Sequence, residues 1–468
     1  MVLHKHNKIR NILQIKNTCK SWYLRIATAK LLFREIAFDT MNVSTVESAQ
    51  ACLRLLTGSK IPLHVFIAGS KGDMDRFTRL HDKITKLLKR LSGFGPNIVR
   101  CQVWDPSDRM CDLLKGRALT LEYLDIGVTG RTSVFSGPLQ SLRTLVIRTS
   151  SSKLWCPSVL PALSSLSIAY AGGPTGTSLR ALTDLLQGLP QLQNLHLDNF
   201  GRWIPGKRFL PRSGLVSTTL HNLSFTNCDF PPVLQYLSAP DLRSFLIHGT
   251  HPDSDATPLP FFQDPALLWR VQAAPILEKR GLCAITTTVR QEPTKRSLVI
   301  EISGNGLQFL VRLEWFRWRQ GDWERWVENS CRNLLQRPQF PPSISLIVDS
   351  DGPFIATLYP ILSLLCVKAL TIVGGPLREI LQYLAVPDQL SYRLRFPVLK
   401  ILDLMAYASL TVQEGSQIRS YLQFRAGAGA PVRVMVRSST WRETRGFPWT
   451  SFMTADSTHS TTTLVLRQ

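Results

Sequence analysis

The apolar positions of this chain fall into one short recurring phrase, Leu-x-x-Leu-x-Ile/Leu. Its clearest copies are Leu121-Leu124-Ile126, Leu142-Leu145-Ile147 and Leu163-Leu166-Ile168, followed by Leu192-Leu195-Leu197, Leu220-Leu223-Phe225 and Leu242-Phe245-Ile247. Successive copies begin 21, 21, 29, 28 and 22 residues apart. The last two apolar positions of each copy are two residues apart. On a strand both point to one face, and the residues between and beside them point to the other. One such strand cannot bury its apolar face alone, whereas stacked copies share a continuous core.

A period of about 20–29 residues is that of leucine-rich repeats. The pattern therefore predicts an α/β fold: an irregular leucine-rich-repeat solenoid, with parallel strands on a concave side and helices on a convex side. Repeats of this kind usually carry Asn or Cys at the ninth position, where the side chain bonds backbone groups at a turn. Here the ninth positions are Thr129, Ser150, Ala171, Phe200, Cys228 and Thr250, so only Cys228 fits. The outward positions are expected to be Tyr123, Asp125, Thr144, Val146, Arg148, Ser165, Ser167, Asn194, His196, Asp198, Asn222, Ser224, Thr226, Ser244, Leu246 and His248. They are small, polar and mixed in charge, with almost no lysine, which suits a protein ligand better than a phosphate backbone.

Around this block the periodicity predicts further elements. Residues 1–40 read as an amphipathic helical segment. Residues 41–97 form a linking module: a helix over 44–56, a strand over 61–67 and a basic helix over 78–91. An extra copy stands at Ile98-Cys101-Val103, opening a first repeat block over 98–250. A loop-rich insertion over 251–296 is expected to separate it from a second block over 297–436. That block contains strands near 298–302 and 345–348, a Trp/Arg-rich helical stretch over 314–335, and the phrases Val367-Leu370-Ile372 and Leu399-Leu402-Leu404. A helix over 412–424, a Gly/Ala hinge at 426–430, a last strand over 432–436 and a polar tail over 437–468 complete the reading.

The run Thr18-Cys19-Lys20-Ser21-Trp22, then Ile26-Ala27-Thr28, then Leu31-Leu32-Phe33-Arg34-Glu35-Ile36 resembles the second half of an F-box. In that family a Val-Cys-x-x-Trp phrase precedes a Leu-Trp phrase, and Phe33 stands at the Trp position. The family's opening Leu-Pro-x-Glu-Ile phrase is absent, so the expected F-box is truncated or degenerate. The order of F-box remnant, helix, short strand and irregular repeats is similar to that of large mushroom-type fungal F-box/leucine-rich-repeat families. The resemblance implies an intracellular substrate receptor. Cys19, Trp22, Leu32 and Phe33 would meet the Skp-type adaptor of a cullin ubiquitin ligase. Tyr123, Asp125, Arg148, Asn194, His196, Asp198, Asn222 and His248 would read an unidentified protein target. A repeat scaffold without ligase recruitment is the alternative.

Composition adds one further reading. Lys and Arg outnumber Asp and Glu by 55 to 33, a formal charge of +22. That excess, with Trp315, Trp318, Trp323 and Trp326 interleaved with Arg317, Arg319, Arg325 and Arg332, admits a nucleic-acid-binding reading. The basic residues are spread along the chain rather than blocked, so a nucleic-acid partner is not the expectation. The nine cysteines show no Cys-x-x-Cys spacing and read as free thiols of a reducing compartment. No phosphate loop, nucleophile elbow or zinc-protease motif is present, and His248 with His251 lacks a supporting ligand. No enzyme, cofactor, metal site or membrane span is expected.

Overall fold

The computed structural model describes residues 34–40, 42–69, 74–104, 120–128, 139–149, 160–170, 177–178, 187–199, 203–204, 215–216, 219–228, 237–239, 241–251, 284–291, 296–304, 307–315, 344–350, 367–373, 384, 398–406, 412–438 and 462–466. It is an α/β structure dominated by parallel strands, in two compact units, Met1–Leu242 and Arg243–Gln468.

In the first unit the strands follow chain order: β1 (Glu35–Asp39), β2 (Leu63–Ala68), β3 (Ile98–Trp104), β4 (Tyr123–Val128), β5 (Thr144–Thr149), β6 (Ser165–Tyr170), β7 (Asn194–Asp198) and β8 (Asn222–Thr226). Each pairs in parallel with the next. The registers align the phrase across the sheet. Leu124, Leu145, Leu166, Leu195 and Leu223 form one row, and Ile126, Ile147, Ile168, Leu197 and Phe225 the next. All of these are buried, as are the leading Leu121, Leu142, Leu163, Leu192 and Leu220.

Three of the phrases have one more buried position than the sequence reading assigned. Leu139, Leu160 and Leu189 stand three residues before the leading Leu and are buried. Their carbonyls accept from the amides of Leu142, Leu163 and Leu192 at 3.2, 3.2 and 3.1 Å. The chain therefore turns tightly onto each strand. At the far end, Cys228 is buried and its thiol donates to Leu197 O at 3.1 Å, which is the ninth-position role. The asparagines stand one residue earlier: Asn199 and Asn227 adopt φ of 57° and 49°. Asn tolerates that left-handed region better than most residues.

Helices cover the start of this sheet. α1 (Val43–Leu56) is capped by Asn42, whose Oδ1 accepts from the amides of Ser44 and Thr45 at 3.1 and 3.4 Å. It buries Val46, Ala49, Leu53 and Leu56, a one-faced pattern. α2 (Met74–Gly93) buries Leu80, Ile84, Leu87 and Leu91 and turns its Lys83, Lys86, Lys89 and Arg90 face to solvent. The expected helices behind the later strands fall mostly outside the described residues. Among the described residues between β6 and Leu242, two-residue parallel strands pair Thr177–Ser178 with Trp203–Ile204 and Leu215–Val216 with Leu237–Ser238.

The expected helix over 1–40 is corrected where it can be seen. Glu35–Asp39 is a strand, because Ile36, Ala37 and Phe38 are all buried, a double-faced run that suits a covered parallel strand. Cys19, Trp22, Leu32 and Phe33 lie outside the described residues.

The second unit mixes directions. β9 (Ser244–His251) pairs in parallel with β12 (Leu307–Trp315); β12 runs antiparallel to β11 (Arg296–Gly304), and β11 antiparallel to β10 (Ala284–Gln291). β10 then pairs in parallel with β13 (Ile344–Ser350), and β14 (Val367–Val373), β15 (Ile401–Ala406) and β16 (Arg433–Ser438) continue in parallel. β17 (Thr462–Leu466) closes the edge antiparallel to β16.

Four expectations change here. The loop-rich insertion contributes a full strand, β10. Glu314 and Trp315 end a strand rather than open a helix; the remaining Trp/Arg stretch lies outside the described residues. The polar tail supplies β17, so 432–436 is not in the last strand. The proposed hinge at 426–430 is a helix terminus: α3 (Val412–Gly427) ends with Gly429 at φ 68° and Ala430 N bonded to Arg425 O at 3.0 Å. A left-handed glycine is the common way to stop a helix.

Candidate functional site

The outward face of the first unit carries the candidate site. Three rows of side chains run across it, fixed by strand register. One contains His64, Arg100, Tyr123, Thr144, Ser165, Asn194 and Asn222; the middle one Phe66, Gln102, Asp125, Val146, Ser167, His196 and Ser224. The third contains Gly127, Arg148, Ala169, Asp198 and Thr226, with Trp104 and Ala68 on its β3 and β2 side.

The densest group lies on β3, β4 and β5. Asp125 faces outward as expected, yet it is only 2% exposed, so its reading as a free contact residue is corrected. Arg148 covers it in a two-pronged ion pair, Nη1 to Oδ1 at 2.6 Å and Nη2 to Oδ2 at 3.3 Å. Trp104 Nε1 donates to the same Oδ2 at 3.3 Å, and Gln102 Nε2 approaches it at 3.5 Å. The Arg148 guanidinium also stands 5.2 Å from the Trp104 ring centre. One row away Arg100 stacks on the Tyr123 ring at 4.3 Å. Beneath the sheet, burial and then the nearby Asp125 charge push the Cys101 thiol up to about 12, so it is inert at neutral pH.

Across the same face the groups are neutral or singly acidic. His196 Nδ1 and Ser224 Oγ share a hydrogen bond of 2.9 Å, and Asn222 donates to Asn194. Burial holds His196 below the ordinary imidazole value, with Asp198 opposing, so the ring is mainly neutral at pH 7. These contacts tie β7 to β8 and leave short polar groups toward solvent.

His248 lies on β9, in the second unit. There its Nε2 is 3.6 Å from the buried Glu314 carboxylate, which Arg312 Nε also binds at 2.8 Å. Arg100, Gln102 and Trp104 escaped the sequence reading of the site because the weak phrase at Ile98-Cys101-Val103 was not carried through to its outward residues. Its two-residue alternation was the available signal.

Comparison with known protein families finds no matching family, and comparison with characterised proteins finds no match either. Among the described residues no group of His, Cys, Asp and Glu could hold a metal ion, and no helix is long and apolar enough to cross a membrane.

Proposed function

We propose that this chain is a leucine-rich-repeat protein that holds a protein target on the outward strand face of its first unit, and that it serves as an F-box-type substrate receptor inside the cell. The observation that carries the binding role is the cluster of Trp104, Tyr123, Arg100 and Arg148 on that face. Trp, Tyr and Arg are the residues in which interface energy concentrates. Asp125 and Tyr123 hold the two guanidinium groups in place, which lowers the entropy lost on binding.

The ligase role rests on the resemblance of Thr18 to Ile36 to an F-box. It is tested by co-expressing the full chain with a Skp-type adaptor and measuring co-purification. Retention of adaptor, lost in a Trp22→Ala/Leu32→Ala double variant, supports the receptor reading. No retention refutes it and leaves the repeat scaffold without ligase recruitment. A nucleic-acid role is disfavoured by Asp39 and Asp198, whose carboxylates stand in the rows of the outward face.

A further inference from the structure

The outward face has an open place at its centre. Gly127 pairs with Arg148 on one side, and on the other it follows the last β3–β4 pair, Val103 with Ile126, one residue before Trp104. A Cβ built on Gly127 would meet only the Val103 carbonyl oxygen, at 3.8 Å. The backbone therefore does not demand a glycine there, and the missing side chain leaves a notch. Trp104, 40% exposed, and Arg148, half exposed, stand on the strands to either side.

The chemistry of these side chains selects a ligand. Arg148 spends Nη1 and Nη2 on Asp125, and its exposed remainder keeps N–H groups for an acceptor outside. Arg100 is exposed, and its cation is held on the Tyr123 ring rather than by a carboxylate in the cluster. The exposed guanidinium groups thus flank an indole and an empty notch. The formal charge of +22 also draws acidic partners toward the chain.

We propose that Arg100, Trp104, Tyr123 and Arg148, grouped about the Gly127 notch, anchor an acidic protein segment. The segment supplies a carboxylate to the two guanidinium groups and an apolar side chain to the notch against Trp104. This deepens the protein-binding reading above and rests on it, but not on the F-box resemblance. Single-stranded nucleic acid fits less well, because the same face carries the carboxylates of Asp39 and Asp198.

The test uses the full chain and a display library of random peptides, with an oligothymidylate as a separate probe. The expected result is enrichment of peptides that combine Asp or Glu with a large apolar residue. Their amide-matched versions bind about tenfold more weakly or worse, the usual scale for losing a charged anchor. Gly127→Val fills the notch with a residue that strands favour, and Arg100→Gln removes the exposed cation without touching the Asp125 pair. Each should weaken the enriched peptides by a similar factor while circular dichroism stays unchanged. Enriched peptides without Asp or Glu, or equal binding by both variants, overturn the proposal and leave the protein-binding reading standing. No enriched peptide, or binding of the oligothymidylate alone with steep salt dependence, overturns both.

Discussion

Removing Arg148 should destabilise the first unit far more than its half-exposed position suggests. Its partner Asp125 is buried, with a side chain 4% exposed against 44% for Arg148. Breaking a fully buried pair by removing one partner costs about 3–5 kcal/mol. A fully exposed pair is worth about 0–1 kcal/mol. One partner here is dry and the other half wet, and Trp104 and Gln102 still donate to the stranded carboxylate at 3.3 and 3.5 Å. Arg148→Ala should therefore cost about 2 kcal/mol, between those limits. In an Asp125→Asn background no charge is stranded, and the same change should cost about 0.5 kcal/mol. Hydrogen exchange read by mass spectrometry on peptides covering β4 and β5 is the assay, because it reports local opening without assuming that the two units unfold together. A loss of about 2 kcal/mol accelerates exchange roughly 30-fold where reclosing is fast and exchange follows the opening equilibrium. The pair Lys83–Glu47, at 2.6 Å but 46% and 53% exposed, is the internal control. Glu47→Gln should alter exchange in α1 and α2 by less than about 1 kcal/mol. If Arg148→Ala has the same effect in both backgrounds, within about 0.5 kcal/mol, the two residues are not coupled and the burial argument fails.

Two further predictions follow from buried groups. Arg425 is fully buried, its Nε donating to Ala430 O at 3.0 Å and its Nη2 to Leu399 O at 3.1 Å, which closes α3 and fastens it to the turn before β15. Arg425→Lys keeps a charge but not the fork, and should cost about 2–3 kcal/mol, seen as faster exchange in α3 and β16. Cys101 gives an alkaline signature. Its thiol is held at about 12 against an ordinary 9.0, so the unfolded chain ionises first. Stability is intact below about pH 9 and falls by up to about 4 kcal/mol toward pH 12. Cys101→Ala should flatten that part of the urea-stability curve against pH, and an unchanged slope would count against the assignment.

The strands of the leucine phrase were legible because a two-residue alternation is a local property. Leu124-Ile126 and Leu145-Ile147 each declare a face without reference to any partner, and the outward polarity follows at once. α1 and α2 were legible for the same reason, through the spacing of Val46, Ala49 and Cys52 and of Leu80, Ile84, Leu87 and Leu91. The misreadings share a cause. Ile36-Ala37-Phe38 has no alternation because both of its faces are covered, and a short apolar run fits a helix as well as a buried strand. The strand Leu307–Trp315 does alternate, and Asn305-Gly306 before it is a pair favoured in two-residue hairpin loops. It pairs antiparallel with the strand before it, so it falls outside a parallel-repeat period.

By itself the sequence determined where apolar faces repeat, which residues oppose them, and that the chain carries a large positive charge. Those follow from spacing and counting. Only the tertiary structure decided which outward residues meet. Strand register brings Trp104, Asp125 and Arg148 together from positions 21 and 23 residues apart, and it is this meeting that buries one charge and presents another. It also decided that Ala284–Gln291 and Thr462–Leu466 are strands, since edges and antiparallel partners are settled by what lies alongside a segment rather than within it.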